Sequence, residues 1–319
     1  MLMNLEIMFN FCMVMGVTVA ICSNNWLSVW VGLELSTMCF MPIMSNKSKL
    51  NSESCMKYFI IQSMSSSIMM MGVIMMSMNL NSSMLTMAIL IKLGVVPFHT
   101  WVMSIIEGMS YYPILMLLTI TKLAPINMMS TMNENLNLFI IMGLWVGSIS
   151  GINQNSIKKI MVYSSIFNMS LMISTMNKMT IWLTFFIMYS MSITLFIYLT
   201  MKMNFSFINQ MMINNLKLPI KLTCWISLMS MGGFPPFPMF FGKIMVIKIL
   251  MEMKELLITS MMILSSLIVM FFYMRMATLS MLMYSSMPKW MKLNTTDFNS
   301  FIIMISMTLP MIMFNLKSL

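Results

Sequence analysis

Several ionisable side chains stand inside stretches of sequence that are otherwise apolar, and these residues could move a proton. The segment from Ile91 to Trp101, IKLGVVPFHTW, contains Lys92, Gly94, Pro97 and the single histidine of the chain, His99. A charge at the centre of a bilayer costs at least ~2.5 kcal/mol on insertion scales, and a proline removes one helical hydrogen bond. We therefore interpret this segment as an interrupted helix that carries an ion, with the proton as the leading candidate.

Three lysines, Lys92, Lys122 and Lys243, each lie near glycine, proline or threonine residues within apolar segments. Burial in a medium of low dielectric disfavours the charged form of an amine, so a desolvated lysine gives up its proton readily. A row of such lysines joined by water can relay protons. The alternative for each is that the long side chain extends to the nearest membrane surface, and this alternative is strongest for Lys243.

Glu34 and His99 are the other two candidates. Glu34 lies in the middle of an apolar segment, where burial favours the acid and a nearby lysine favours the carboxylate, so moving the lysine can switch its charge. This property suits a gate, and a purely structural ion pair is the alternative. His99 follows Lys92 by seven residues, which places both on one face of a regular helix unless the break at Pro97 changes the phase. It can shuttle a proton or form a hydrogen bond between helices, and both interpretations stay open.

The composition indicates an all-α membrane protein that positions these residues in a helical bundle. Of 319 residues, 59% are hydrophobic and 8% are charged, whereas soluble domains carry about 25% charged residues. At ~20 residues per span the length allows about eleven transmembrane helices and no sizeable soluble domain. The predicted spans are 3–22, 25–44, 57–78, 84–104, 111–129, 136–153, 157–176, 180–201, 221–251, 256–284 and 299–316.

The distribution of lysines across the predicted loops supports this arrangement. With eleven spans, ten lysines fall on one side and three (Lys178, Lys254 and Lys317) on the other, which places the N-terminus on the lysine-rich side. Lys248 and Arg275 lie within spans and are expected to reach a surface or find a partner.

The placement of lysines at the membrane surfaces accounts for the net charge of +10. Nucleic-acid binding is not indicated, because no basic run with interleaved aromatic residues occurs. The five scattered cysteines are interpreted as small buried hydrophobes, not metal ligands.

A weak internal repeat divides the single transmembrane domain of residues 1–319. Gly94 to Phe98 and Gly233 to Phe237 both have the pattern G-x-x-P-F, five spans apart, and an odd spacing inverts one unit relative to the other. We predict inverted repeats at 1–129 and 136–284 followed by a C-terminal helix at 299–316; chance similarity is the alternative. The connection from Lys202 to Lys221 is predicted to hold a short amphipathic helix on the surface.

Ordered motifs along nearly the whole chain resemble the subunit 2 family of mitochondrial NADH:ubiquinone oxidoreductase, respiratory complex I, and its insect members in particular. The motifs are Asn25-Trp26 with Trp30 to Glu34, Lys57 to Phe59 with Gln62, Lys92 to Gly94 with Pro97 to His99 and Trp101, Lys122 to Pro125, Gly151 to Gln154, Lys158 to Ile160 with Tyr163 to Ser165, and Gly232 to Phe237 with Lys243.

The resemblance implies an antiporter-like subunit with two inverted five-helix units and a discontinuous helix in each. It implies that Glu34 and Lys92 form an ion pair, that Lys122 and Lys243 are the central and terminal lysines of a proton path, and that His99 matches the family's histidine. The resemblance further implies the mitochondrial inner membrane, neighbouring antiporter-like and accessory subunits, and lipids such as cardiolipin. NADH, FMN, iron–sulfur clusters and ubiquinone are then bound by other subunits, with no cofactor and no redox site on this chain.

Two positions depart from the family pattern. Phe241-Gly242 and Ile244 flank Lys243 where relatives commonly have a proline and a tryptophan, and Phe167-Asn168 stands where many have a polar residue and a histidine. The lysine row is intact, but the second half of the path differs in detail. A free-standing cation/proton antiporter and a structural subunit without conduction are the alternatives.

Overall fold

The apolar runs form helices because a helix satisfies all of its backbone hydrogen bonds within the segment. The computed structural model describes residues 2–45, 48–78, 82–132, 134–213 and 218–282. In these ranges all regular secondary structure longer than a single residue is helical. In chain order they are α1 (Leu2–Cys22), α2 (Trp26–Met44), α3 (Lys49–Ser77), α4 (Ser83–Leu93), α5 (Thr100–Ile106), α6 (Tyr111–Leu118), α7 (Ile120–Ser130), α8 (Asn137–Ile152), α9 (Ile157–Ser174), α10 (Met179–Met203), α11 (Ile208–Ile213), α12 (Leu218–Gly232), α13 (Pro238–Glu252) and α14 (Leu256–Leu282).

Six helical segments of the described chain are long and apolar enough to cross a bilayer: Leu5–Cys22, Trp26–Met44, Lys49–Ser77, Tyr111–Ser130, Met179–Met203 and Leu256–Met281. The prediction of a helical membrane protein is confirmed. The total of eleven spans and the inverted arrangement stay predictions, and the helix predicted at 299–316 lies outside the described residues. The third span begins at Lys49 instead of the predicted residue 57, because Ser48 caps the helix by accepting the backbone N–H of Asn51 at 3.3 Å.

The chain divides into two compact units, the first from Met1 to Gly143 and the second from Leu144 onward. In the first unit α1 and α2 pack with their backbones in contact. A Cβ atom on Gly32 would lie 2.7 Å from both the backbone nitrogen of Ala20 and the carbonyl oxygen of Gly16. Small residues of this kind allow membrane helices to approach closely. The contact fixes α2, which carries Glu34.

In the second unit α13 packs against α9, α10, α12 and α14. α9 is buried along most of its length, and its serines Ser164 and Ser165 donate to carbonyls of their own helix at 2.8 and 2.7 Å. Each of these two serines therefore satisfies its hydroxyl donor within its own helix. Arg275 finds a partner in the carbonyl of Ile152 at the end of α8, at 3.3 Å.

The connection after α10 contains a short helix, α11, as the sequence predicted. The apolar side chains of this connection, Phe205, Ile208 and Met211, are buried. Two backbone hydrogen bonds join the segment to the start of α9, from Ile157 N–H to Ser206 and from Ile208 N–H to Asn155, both at 3.1 Å. The segment therefore packs on the protein, and its apolar face points inwards.

Candidate functional site

The helix that carries Lys92 ends because Gly94 adopts a left-handed conformation, with φ of +67°. Val95 N–H donates to Leu90 at 3.2 Å and Gly94 N–H donates to Ile91 at 3.1 Å, which is the Schellman pattern of helix termination. A Cβ on Gly94 would lie 2.4 Å from a methyl carbon of Val102, so neither the conformation nor the packing admits another residue.

The interruption leaves Lys92 on the last turn of α4 and starts a new helix at Thr100. Trp101 of that second helix donates its indole N–H to the carbonyl of Ile91 at 3.0 Å, which ties the two halves together. Lys92 is 7% exposed, and its Nζ has no hydrogen-bond partner among the described residues. The break predicted from glycine and proline is therefore present, and a buried amine lies beside it.

The helix that carries Lys122 is distorted as well. Thr119 separates α6 from α7 with φ of −118° and ψ of −81°, and the backbone N–H of Lys122 donates to Thr119 at 3.1 Å. Three residues beyond Lys122, Pro125 has no N–H to donate to the carbonyl of Thr121. Lys122 is 4% exposed, so its amine is buried next to irregular backbone.

Lys92 and Lys122 line the same cavity in the first unit. The space open to the centre of a water molecule is about 20 Å³, which is room for about one water. The lining is partly polar and comes from α2, α3, α4, α5, α6 and α7. It consists of Leu33, Ser36, Thr37, Tyr58, Gln62, Lys92, Trp101, Leu117, Thr121, Lys122 and Pro125. An arrangement of two buried amines with hydroxyls and an amide around a water-sized space is suited to passing a proton between the amines.

Glu34 lies at the edge of this site, and its neighbours Leu33 and Thr37 line the cavity while Glu34 does not. One oxygen of its carboxylate accepts a hydrogen bond from Thr37 at 3.4 Å. It forms no direct bond to Lys92, whose Nζ has no hydrogen-bond partner among the described residues. The direct pair implied by the family resemblance is therefore not formed in this structure.

His99 is not among the residues that line the cavity. It is half-buried and immediately precedes α5. The seven-residue spacing from Lys92 does not place both on one helical face, because α4 already ends at Leu93 and the next helix begins only at Thr100.

Sequence reasoning about chemistry missed Tyr58 and Gln62, which both line the cavity from α3. Tyr58 is 2% exposed and packs edge-on against Phe40, with 5.2 Å between ring centres. A signal was available, because two polar side chains four residues apart in an apolar span fall on one helical face.

The second unit holds Lys243 at a break of the same kind. α12 ends at Gly232, Gly233 has φ of +78°, and Gly233 N–H and Phe234 N–H donate to Ser230 at 3.2 Å and Met229 at 3.3 Å. Lys243 is 6% exposed, and its Nζ donates to the carbonyl of Gly232 at 2.8 Å. The side chain thus points into the protein, towards the break.

This fold defines a class, since it matches membrane chains of known structure. A chain of respiratory complex I from Thermus thermophilus with bound aureothin superposes with a TM-score of 0.76 at 16% identity, covering 91% of this chain and 73% of that one. A chain of the Mrp complex from Dietzia superposes with a TM-score of 0.73 at 14% identity, covering 88% of this chain and 60% of that one. The architecture is that of these membrane chains.

Sequence comparison narrows this class to one family. The family model described as NADH:quinone oxidoreductase/Mrp antiporter, TM, matches residues 23–83 and 77–269. NADH-ubiquinone oxidoreductase chain 2 of Anopheles gambiae is 33% identical, covering 92% of this chain and 90% of the relative. The protein of the same name from Locusta migratoria is 32% identical, covering 90% of this chain and 89% of the relative. The one from Rhipicephalus sanguineus is 34% identical, covering 94% of this chain and 97% of the relative. The chain belongs to the NADH-ubiquinone oxidoreductase chain 2 family.

Proposed function

We propose that this chain is a proton-translocating subunit in the membrane arm of NADH:ubiquinone oxidoreductase, located in the mitochondrial inner membrane. The observation that carries the proposal is that Lys92 and Lys122 line one water-sized cavity beside two interrupted helices. Lys243, buried at the second break, is the terminal amine of the path. Glu34 is the gate, and His99 is the exchange site outside the cavity.

The gate works through charge. Glu34 influences Lys92 without a direct bond, so a small movement of α2 changes how well the charged form of Lys92 is stabilised. When that stabilisation weakens, the proton of Lys92 moves through the cavity to Lys122. Moving one charge against 100 mV costs ~2.3 kcal/mol, so energy released by redox chemistry elsewhere must drive the change.

The inverted repeat at 1–129 and 136–284 belongs to the same proposal. Support comes from the two breaks, which share a glycine of positive φ and the same pair of terminating hydrogen bonds. The lysine precedes the first break and follows the second, as Lys92 and Lys243 show. Two half-paths of related design, each centred on an interrupted helix, are typical of transport proteins built from inverted units.

Redox cofactors belong to other subunits under this proposal. NADH, FMN, iron–sulfur clusters and ubiquinone would be bound elsewhere in the complex, and this chain would be one membrane-embedded part of the enzyme. Its neighbours would be other membrane-arm subunits, including antiporter-like ones, accessory subunits, and lipids such as cardiolipin.

The test is Lys122→Met in the assembled complex, reconstituted in sealed vesicles. We expect the ratio of protons pumped per electron to fall, because the substitution removes an amine from the cavity while keeping an apolar chain of similar length. Lys202→Met, at an exposed lysine of α10, is the control and should leave the ratio unchanged. Full pumping by the Lys122 variant would refute the relay at this residue.

A free-standing cation/proton antiporter is the second candidate, favoured by the similarity to the Mrp chain. It requires that the purified chain alone exchange cations for protons in liposomes. Recovery of this chain only within a large NADH-oxidising assembly would argue against it. A structural subunit without conduction would tolerate joint neutralisation of Glu34, Lys92 and Lys122 with no change in pumping.

A further inference from the structure

Lys243 in the second unit lies against both a helix break and an aromatic ring. We propose that the backbone break at Gly232-Gly233 and the ring of Phe167 together form a receptor for the Lys243 ammonium group, and that Phe167 is a positioning residue that sets how firmly the proton is held. The proposal rests on the proposed role of Lys243 and deepens it.

The first part of the receptor is a helix end. Lys243 Nζ donates to the carbonyl oxygen of Gly232, the last residue of α12, at 2.8 Å. The last carbonyls of a helix lack partners within the helix and carry the negative end of its dipole. An ammonium group at this position therefore binds a partial negative charge.

The second part is the space left by a missing side chain. A Cβ atom on Gly233 would lie 2.6 Å from Lys243 Nζ and 3.0 Å from its Cε. The φ of +78° at this residue already favours glycine, and the contact with Lys243 gives a second reason. The amine reaches the break only because residue 233 has no Cβ.

The third part is the aromatic ring of Phe167 on α9. Lys243 Nζ lies 5.6 Å from the centre of this ring, within the distance of about 6 Å at which a cation is attracted to the ring face. The ring is well fixed, because Phe167 is fully buried and its backbone touches α8 at Gly147, where a Cβ would lie 2.7 Å from Phe167 N.

Neither the carbonyl nor the ring titrates, so a pH response of this receptor would belong to Lys243 itself. In the described part of the second unit no carboxylate forms an ion pair with Lys243. The buried titratable side chains on the helices around α13 are phenols and a thiol, neutral near pH 7: Tyr189 on α10, Cys224 on α12 and Tyr273 on α14. The charged side chains on these helices are Lys158 and Lys159 on α9, Lys202 on α10, Lys221 on α12 and Arg275 on α14.

The experiment compares Phe167→Leu and Phe167→Met, which keep an apolar side chain but lose the ring, with Phe167→Tyr, which keeps it. Proton pumping per electron is measured against pH in the assembled complex in vesicles. We expect the alkaline limb of the profile to move to lower pH in the Leu and Met variants, by the equivalent of about 2- to 30-fold in proton affinity. The Tyr variant should follow the unsubstituted chain.

Wild-type profiles in whichever ring-less variant assembles would overturn the proposal, as would an equal shift in the Tyr variant. A backbone variant gives an independent measurement. Gly233→Ala should lose pumping, because the added Cβ would lie 2.6 Å from Lys243 Nζ. Full pumping by an assembled Gly233→Ala variant would also overturn the proposal.

Lys243→Met separates this inference from the function on which it rests. Full pumping by Lys243→Met would refute the proposed function at this residue. Loss of pumping in Lys243→Met, combined with an unchanged pH profile in Phe167→Leu, would refute only the receptor.

Discussion

Lys92 and Lys122 approach their shared cavity from helices that are both irregular beside the lysine. Under the proposed relay, two like charges around this cavity would disfavour each other, so arrival of a proton at one amine would promote release from the other. The hydroxyls and the amide around the cavity would orient a water between the amines, and the uncharged lining residues would be part of the path.

Tyr58 is the lining residue with the clearest test. Tyr58→Phe removes one hydroxyl from the cavity and keeps the ring that packs against Phe40. Since a single hydrogen bond is worth ~0.5–1.5 kcal/mol, we expect proton transfer to slow by about 2- to 10-fold without loss of assembly. The measurement is the pumping rate of the assembled complex in vesicles. The control is Tyr198→Phe on α10, whose side chain is exposed. A Tyr58 variant that pumps at the rate of the control would remove Tyr58 from the path.

At the residue scale, the sequence predicted the buried lysines but not their surroundings. Lysine inside an apolar run costs free energy wherever it lies, so Lys92, Lys122 and Lys243 could be identified one at a time. The distance between Glu34 and Lys92, and the position of His99 outside the cavity, depend on how helices pack around the break. No periodicity within one segment contains that information.

Among the elements, α4 is held at both ends. Its C-terminal end stops at Gly94, and near its N-terminal end the Glu134 carboxylate accepts hydrogen bonds from Ser82 and, at 2.9 Å, from Thr86. Glu134 lies between α7 and α8, in the connection between the spans predicted at 111–129 and 136–153. A carboxylate near a helix N-terminus is also favoured by the helix dipole. This clamp fixes the short helix that presents Lys92 to the cavity.

Glu134→Gln tests the clamp. The amide keeps the shape of the side chain but loses the charge. We therefore expect the free energy of local opening of α4 to fall by about 1–2 kcal/mol, which corresponds to roughly 5- to 30-fold faster hydrogen exchange of its backbone amides. The measurement is hydrogen exchange with mass spectrometry on peptides from α4. Glu6→Gln, at an exposed position of α1, is the control. Unchanged exchange in α4 would show that the carboxylate charge does not hold the helix.

Two of the three helix irregularities were visible in the sequence and one was not. Gly94 and Gly233 each precede a proline within a few residues, and this combination predicts a helix end. The distortion at Thr119 has no glycine, and Pro125 lies six residues further on. Thr119 donates both its hydroxyl, at 2.7 Å, and its backbone N–H, at 3.1 Å, to the carbonyl of Leu115, and threonine hydrogen bonds of this kind bend helices.

For the whole molecule, α9 corresponds to the span predicted at 157–176. It contains 18 residues, which is about 27 Å at 1.5 Å per residue. It is nevertheless not among the six segments of the described chain that are long and apolar enough to cross a bilayer. Its serines and Asn168 lower the hydropathy, and they are buried in protein. A helix surrounded by other helices does not need the apolar surface that lipid demands of an exposed one. We therefore expect α9 to cross the membrane.

Labelling from the two sides of the membrane decides the point. Asn155 precedes α9, and Asn177 follows it next to Lys178, which pairs with Glu252; both asparagines are exposed. In a background without the five native cysteines, Asn155→Cys should react with a membrane-impermeant maleimide only on the side that carries Lys158 and Lys159. Asn177→Cys should react only on the other side, because an odd number of crossings separates the two positions.

Mitoplasts and inverted inner-membrane vesicles provide the two sides, and mass spectrometry of the labelled peptides identifies the site. Reaction of both cysteines from one side would show that α9 does not cross, and the alternation of loops on which the lysine count depends would fail with it.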